Sequence, residues 1–189
     1  RRAALRRSLK VAAIDAFSTE PLGGNGATVV LLEQPAESQW MQRLAAEFNQ
    51  SETAFLWSNQ GLWYLRWFTP SCEVELCGHA TLAASLALHH WQQLPIGTAQ
   101  QLQTRSGPLR VELQSSTCAA IDLPSGGLKP RSKEPWMQPF QPLQQWTSDL
   151  GYGVLLLDGS ADLQQLNPDE PCWANTSENA WVVMQPGSR

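Results

Sequence analysis

Several chemistries have no signature in these 189 residues. There is no Walker A sequence, no GxGxxG after a strand pattern and no GxSxG elbow, which removes the usual marks of phosphate-loop, dinucleotide and nucleophile-elbow sites. Cysteine is sparse: four residues, none in a CxxC pair, which is too few for a disulfide scaffold. The expectation is a reduced, cytoplasmic protein with free thiols. No apolar run approaches the roughly 18 residues that a membrane span needs, and no repeat of fixed period is visible. Charge is low at 16% against 42% hydrophobic residues, enough apolar content for a core and too much for wholesale disorder. The length suits one domain, or one and a half small ones.

Acidic residues are missing from one stretch. The first ten residues hold Arg1, Arg2, Arg6, Arg7 and Lys10, 5 of the 13 basic residues. The remainder carries 8 basic against 17 acidic residues, a net charge of -9. So acidic a body repels a phosphate backbone, and no nucleic-acid partner is expected. The basic stretch leads into VAAI and then Asp15, too short an apolar run for a signal peptide. It is short for an Arg-rich, acid-poor presequence, the alternative to an untidy N-terminus or start-site overrun, and no function is assigned to residues 1–9.

What is present alternates strands with two helical patterns. Lys10–Phe17 and Ala27–Glu33 read as strands flanking the turn-rich Ser18–Gly26. Trp40, Met41, Leu44, Ala45 and Phe48 recur at helical spacing, with Ser38 as the expected N-cap. Ser51–Trp57 and Leu62–Phe68 read as a hairpin about Asn59-Gln60-Gly61, and Glu73–Leu76 as a further strand. Gly78–Trp91 is nearly all Ala and Leu, apolar on every side, hence a buried central helix stopped by Pro95. Three short strands follow, ending at Pro124. The Gly- and Pro-rich stretch Ser125–Pro142 predicts a domain boundary, giving domains 10–125 and 126–189. Beyond it the pattern predicts a helix containing Trp146, a strand Gly153–Asp158, a short ADLQQL helix and a strand Ala180–Gln185.

Three groups of residues bear on chemistry. Glu52 lies where the first helix gives way to a strand. Partial burial at a pocket mouth would raise its pKa and make it a general acid/base. Spacing alone equally allows an exposed loop glutamate. Gly78 and His79 open the buried helix, where unpaired N–H groups and the dipole favour a carboxylate. A local cap is the alternative. Cys77 precedes that helix start, a position that lowers a thiol pKa. Cys72, Cys77 and His79 have a C-x4-C-x-H spacing but lack a second ligand pair, so no metal is expected.

Taken together, IDAF, GGNGATVVLL, NQSETAF and LRWFTPSCEVELCGHATLAA occur in a familiar order. The chain resembles the phenazine-biosynthesis isomerase-like (PhzF-like) family from about Lys10 through Pro186. The resemblance implies an α+β, diaminopimelate epimerase-like fold, with mixed strands wrapped around a central helix in each of two domains. It implies an isomerase that needs no metal and no organic cofactor. Its substrate would be a small carboxylate from which a proton is moved between carbons. By resemblance, Glu52 is the catalytic acid/base and His79 its partner. Asn25, Ser51, Gly78, Ala80 and Thr81 would line the substrate site. Gly26 stands where proline is commoner in the family, which is expected to loosen that turn. The family's later acidic segment and its Thr-Gly-Ser helix start find no match, so the second domain is expected to be incomplete and the fragment inactive alone. Removing that second helix should expose Val154–Leu157 and Trp181–Val183, and leave 126–189 less well packed than 10–124. A homodimer is common for the fold. Two alternatives stand beside this: a thiol-based racemase or epimerase using Cys77, and a non-catalytic small-ligand binder.

Overall fold

A computed structural model describes residues 9–132, 134, 137, 140–167, 176–178 and 180–186. The chain divides into two compact units, Arg1–Leu123 and Pro124–Arg189.

The first unit is one curled sheet with a helix on each side. Its elements are β1 (Lys10–Ala16), β2 (Asn25–Leu31), α1 (Ser38–Phe48), β3 (Glu52–Asn59), β4 (Leu62–Phe68), β5 (Glu73–Val74), α2 (Gly78–His90), β6 (Ala99–Thr104), β7 (Gly107–Leu113) and β8 (Ala119–Asp122). The strands lie in the order β1-β2-β3-β4-β6-β7-β8, with β5 on β4. Most neighbours are antiparallel. The β2–β3 pair is parallel, with Ala27 opposite Glu52, because α1 serves as the crossover that a parallel pair requires.

The alternation of β3 explains why the sheet has two buried faces. Ala54 and Leu56 point to the core around α2, whereas Phe55 and Trp57 point to the smaller cluster around α1. That is why ETAFLW reads as a continuous apolar run. On the inner side Ala80, Ala83, Ala84 and Ala87 of α2 are fully buried. Small side chains let strands approach the helix from several directions, and α2 packs against β1, β2, β3, β7 and β8. The β3–β4 hairpin turns at Gln60 (φ 51°) and Gly61 (φ 78°), the two left-handed residues that a type I′ turn demands.

Several local expectations need correction. The N-cap of α1 is Glu37, which makes no side-chain cap bond. Ser38 is already helical, and its Oγ accepts a 2.9 Å hydrogen bond from Arg66. The strand at Glu73 is only two residues long. Helix α2 ends at His90, before Pro95 is reached, and Gln92 follows with φ 61°.

The second unit holds β9 (Leu128–Pro130), β10 (Gln144–Ser148), β11 (Tyr152–Leu156), a 3-10 turn (Leu163–Gln165) and β12 (Ala180–Met184). Its sheet runs β12-β11-β10-β9, with β11 and β12 parallel. The residues around Trp146, expected to be helical, form β10: Trp146 pairs with Val154 on one side and Pro130 on the other. Pairing between strands overrides the helix-permissive Leu-Gln-Gln run that precedes it. The ADLQQL helix is reduced to the 3-10 turn, whose N-cap Asp162 accepts from Gln164 N–H at 3.0 Å.

The expected exposure of Val154–Leu157 is not observed. Val154, Leu155 and Leu157 are buried. Leu155 and Leu157 pack with Met137, Phe140, Leu163 and Leu166, so the loop segments cover that face. The opposite face of the same strands is more open, with Tyr152, Val182 and Met184 exposed. Gly153 is required where it stands: a Cβ there would lie 2.3 Å from the Trp181 ring. Among the described residues, no helix is long and apolar enough to cross a membrane.

Candidate functional site

The topology of the first unit brings three chain segments to one point. Because β2 and β3 are parallel, their first residues, Asn25 and Glu52, emerge at the same end of the sheet. Helix α2 begins there too, with Cys77 as N-cap and His79 in its first turn. His79 Nε2 lies 3.0 Å from Glu52 Oε2, both side chains being mostly shielded from solvent. The approach is not an aligned hydrogen bond: Oε2 is buried without a hydrogen-bonding partner. The aligned partner of Nε2 is Ser51 Oγ at 3.1 Å. Ser51 Oγ in turn donates toward Gly26 O at 2.9 Å, with Asn25 Oδ1 at 3.2 Å. On the other side of the ring, His79 Nδ1 lies 3.4 Å from Cys77 Sγ.

Of the residues singled out in the sequence, Asn25, Ser51, Glu52, Cys77, Gly78 and His79 therefore gather in one place. Two others turn inward. Thr81 is fully buried, and its hydroxyl donates to Cys77 O one turn back at 2.6 Å, so it bonds within the helix rather than facing a ligand. Ala80 is fully buried as well, leaving only its N–H, which faces the Cys77 sulfur. Gly78 has no steric need to be glycine, since a Cβ would sit 3.6 Å from Leu123, an ordinary contact. Gly26 lies within the β1–β2 ladder opposite Asp15 and supplies the carbonyl that Ser51 uses.

The thiol behaves contrary to expectation. Burial pushes Cys77 up to about 12, and the Glu52 carboxylate adds to the rise. The N–H groups of Ala80 and His79 pull the other way and do not prevail. A helix start lowers a thiol pKa only when the sulfur keeps enough solvent to hold a charge. Glu52, Cys77 and His79 offer three atoms within 4.8 Å of one another, the spacing of a cation site. Cys72 is not part of the group; it is exposed and held by Thr69.

Sequence reasoning missed two participants. One is the Gly26 carbonyl, a main-chain group that no motif reveals. The other is Gln50, whose Oε1 would meet a Cβ on Gly26 at 2.8 Å and so borders the site. Its position beside Ser51 in the NQSET run was the available signal.

A mixed sheet curled around an alanine-rich helix, with a carboxylate and an imidazole meeting at that helix start, defines an α+β fold of the diaminopimelate epimerase-like class. Solved epimerases share this fold at low identity. The family model for phenazine biosynthesis-like proteins matches residues 14–125. The chain belongs to that family. It is 44% identical over 112 residues to an uncharacterized isomerase of Pseudomonas aeruginosa, covering 59% of this chain and 42% of the relative. It is 35% identical over 164 residues to an uncharacterized isomerase of Halalkalibacterium halodurans, covering 82% of this chain and 60% of the relative. A crystal structure of a PhzC/PhzF protein from Clostridium difficile superposes with a TM-score of 0.82 at 27% identity, covering 96% of this chain and 70% of that one. The chain thus spans between 42% and 60% of the length of these two curated relatives.

Proposed function

We propose that the protein is a cofactor-independent isomerase or epimerase acting on a small carboxylate, with Glu52 as general acid/base and His79 as its partner. The observation that carries this is the 3.0 Å approach of Glu52 Oε2 to His79 Nε2 at the start of a buried helix. Glu52 would take a proton from the carbon next to an unsaturated or carboxylate-bearing group. The electron pair left behind delocalises into that group, and the same carboxyl returns the proton to another carbon of the skeleton. Positioned acid/base groups of this kind contribute about 10²–10⁴-fold in rate. His79 Nε2–H would stabilise the charge that develops, and Gly78 N–H would orient the substrate carboxylate. Two features support Glu52 over a thiol. Its Oε2 has no hydrogen-bonding donor to compete with a substrate, and Cys77 is held as a thiol at about 12.

Protein incubated in deuterated water with a panel of unsaturated amino acids tests this. Deuterium should enter substrate carbon, and Glu52→Gln should slow its entry by about 10²–10⁴-fold. Cys77→Ser should retain exchange. Retention by Glu52→Gln with loss in Cys77→Ser would transfer the role to the thiol.

A further inference from the structure

Cys77 has no proton-transfer role above, yet its sulfur touches the imidazole that does. We propose that Cys77 is a positioning residue whose S–H donates to His79 Nδ1, fixing the ring as the tautomer that presents Nε2–H to Ser51, on the side where Glu52 lies. The inference rests on the proposed role of His79.

The assignment follows from counting donors and acceptors around one ring. On the Nε2 side stand Glu52 Oε2 at 3.0 Å and Ser51 Oγ at 3.1 Å. An ionised carboxylate only accepts. A bare Nε2 would set a lone pair against it, whereas an Nε2–H turns the positive end of a dipole toward it while bonding to Ser51. Ser51 has one hydroxyl proton, and its shortest acceptor is Gly26 O at 2.9 Å, with Asn25 Oδ1 next. With that proton spent, Ser51 Oγ is free to accept from Nε2–H. A neutral imidazole protonated at Nε2 leaves a lone pair on Nδ1. The atom facing that lone pair is Cys77 Sγ at 3.4 Å, within hydrogen-bond reach for sulfur. Burial keeps the sulfur protonated and therefore able to donate. The backbone holds the geometry: Cys77 is the N-cap of α2, and its carbonyl receives both the N–H and the hydroxyl of Thr81. The imidazole is thereby braced on one side by a thiol and on the other by a serine.

Two spectroscopic measurements on the protein read this hydrogen bond without requiring turnover. Nitrogen-15 NMR of the His79 ring should show the proton on Nε2 and a bare Nδ1. The S–H stretching band of Cys77, isolated by difference against Cys77→Ser, should rise in frequency in His79→Phe, which removes the acceptor. A proton on Nδ1, or a Cys77 band that does not move in His79→Phe, overturns the proposal. For positioning, Cys77→Ser keeps a donor and should rescue what Cys77→Val loses. The valine variant should lower kcat of exchange about tenfold with little change in KM, the scale of one hydrogen bond. Equal rates in the serine and valine variants would remove the positioning role. If the spectra fit but no substrate exchanges in any variant, the proton-transfer function fails while the tautomer assignment stands.

Discussion

The first unit bends eight strands around a helix, whereas the second has, among its described residues, four strands and no α-helix. In the first, both sheet faces are occupied: α2 fills the inner face and α1 covers part of the outer. In the second, one face is covered by Met137, Phe140 and the 3-10 turn, and the other shows Tyr152, Val182 and Met184 to solvent. The difference teaches that apolar strands alone do not make a two-sided core. What closes the first unit is a helix thin enough to be enclosed. The candidate site sits where that helix begins.

Substitutions can break or sharpen this contrast. The largest effect on stability is expected at Leu88, fully buried on α2: Leu88→Ala should cost about 2–5 kcal/mol. Amide hydrogen exchange should show faster opening across β2, β3 and β7, while β10 and β11 keep their own rates. Equal acceleration in both units would mean that they do not unfold separately. Exchange in the unsubstituted chain should already be faster in the second unit than in the first.

A smaller effect is expected at Glu73, which receives two 2.6 Å hydrogen bonds from Arg66 and one of 2.8 Å from Arg105. The hydrogen bond from Arg66 holds its carboxyl below the usual carboxylate range. The folded chain therefore binds this proton less readily than the unfolded one. The resulting stability is complete above the unfolded value and drains as pH falls through the lowered folded value. Glu73→Gln should lower Tm near neutral pH by the equivalent of about 1–2 kcal/mol and flatten the acid limb of the Tm–pH curve. An acid limb as steep as before would place the titration elsewhere. The smallest effect is expected at Val182→Thr, on the open face of β12, which should change stability by less than about 0.5 kcal/mol in denaturant melts. A larger loss would show that this face is covered in solution.

How much of this was legible in the sequence varies with the kind of signal. The apolar run in β3 and the all-round apolarity of α2 were plain, because periodicity records burial directly. Glu52 and His79 belong to separate elements, and no spacing rule joins them. They came together through the order of motifs, and their contact needed the parallel β2–β3 pair. Trp146 was misread because its strand owes its form to neighbours distant in sequence. Cys77 was misread for a different reason. Its position at a helix start is visible in the sequence, but the burial that outweighs the dipole is a property of the folded chain.

The alanines of α2 have a consequence for any saturation library of this protein. Ala80, Ala83, Ala84 and Ala87 have no exposed surface. A larger side chain at such a position meets packed strands and costs about 1–3 kcal/mol, while glycine forfeits about 1 kcal/mol of helix propensity. Only the smallest residues should survive there, so these positions will score as intolerant as Glu52 and His79. A fitness map would then paint the whole helix as active site, although its tail performs no chemistry. Assays of expression and of exchange, run side by side, should separate the two: the alanine variants should fail both, and Glu52→Gln only the second.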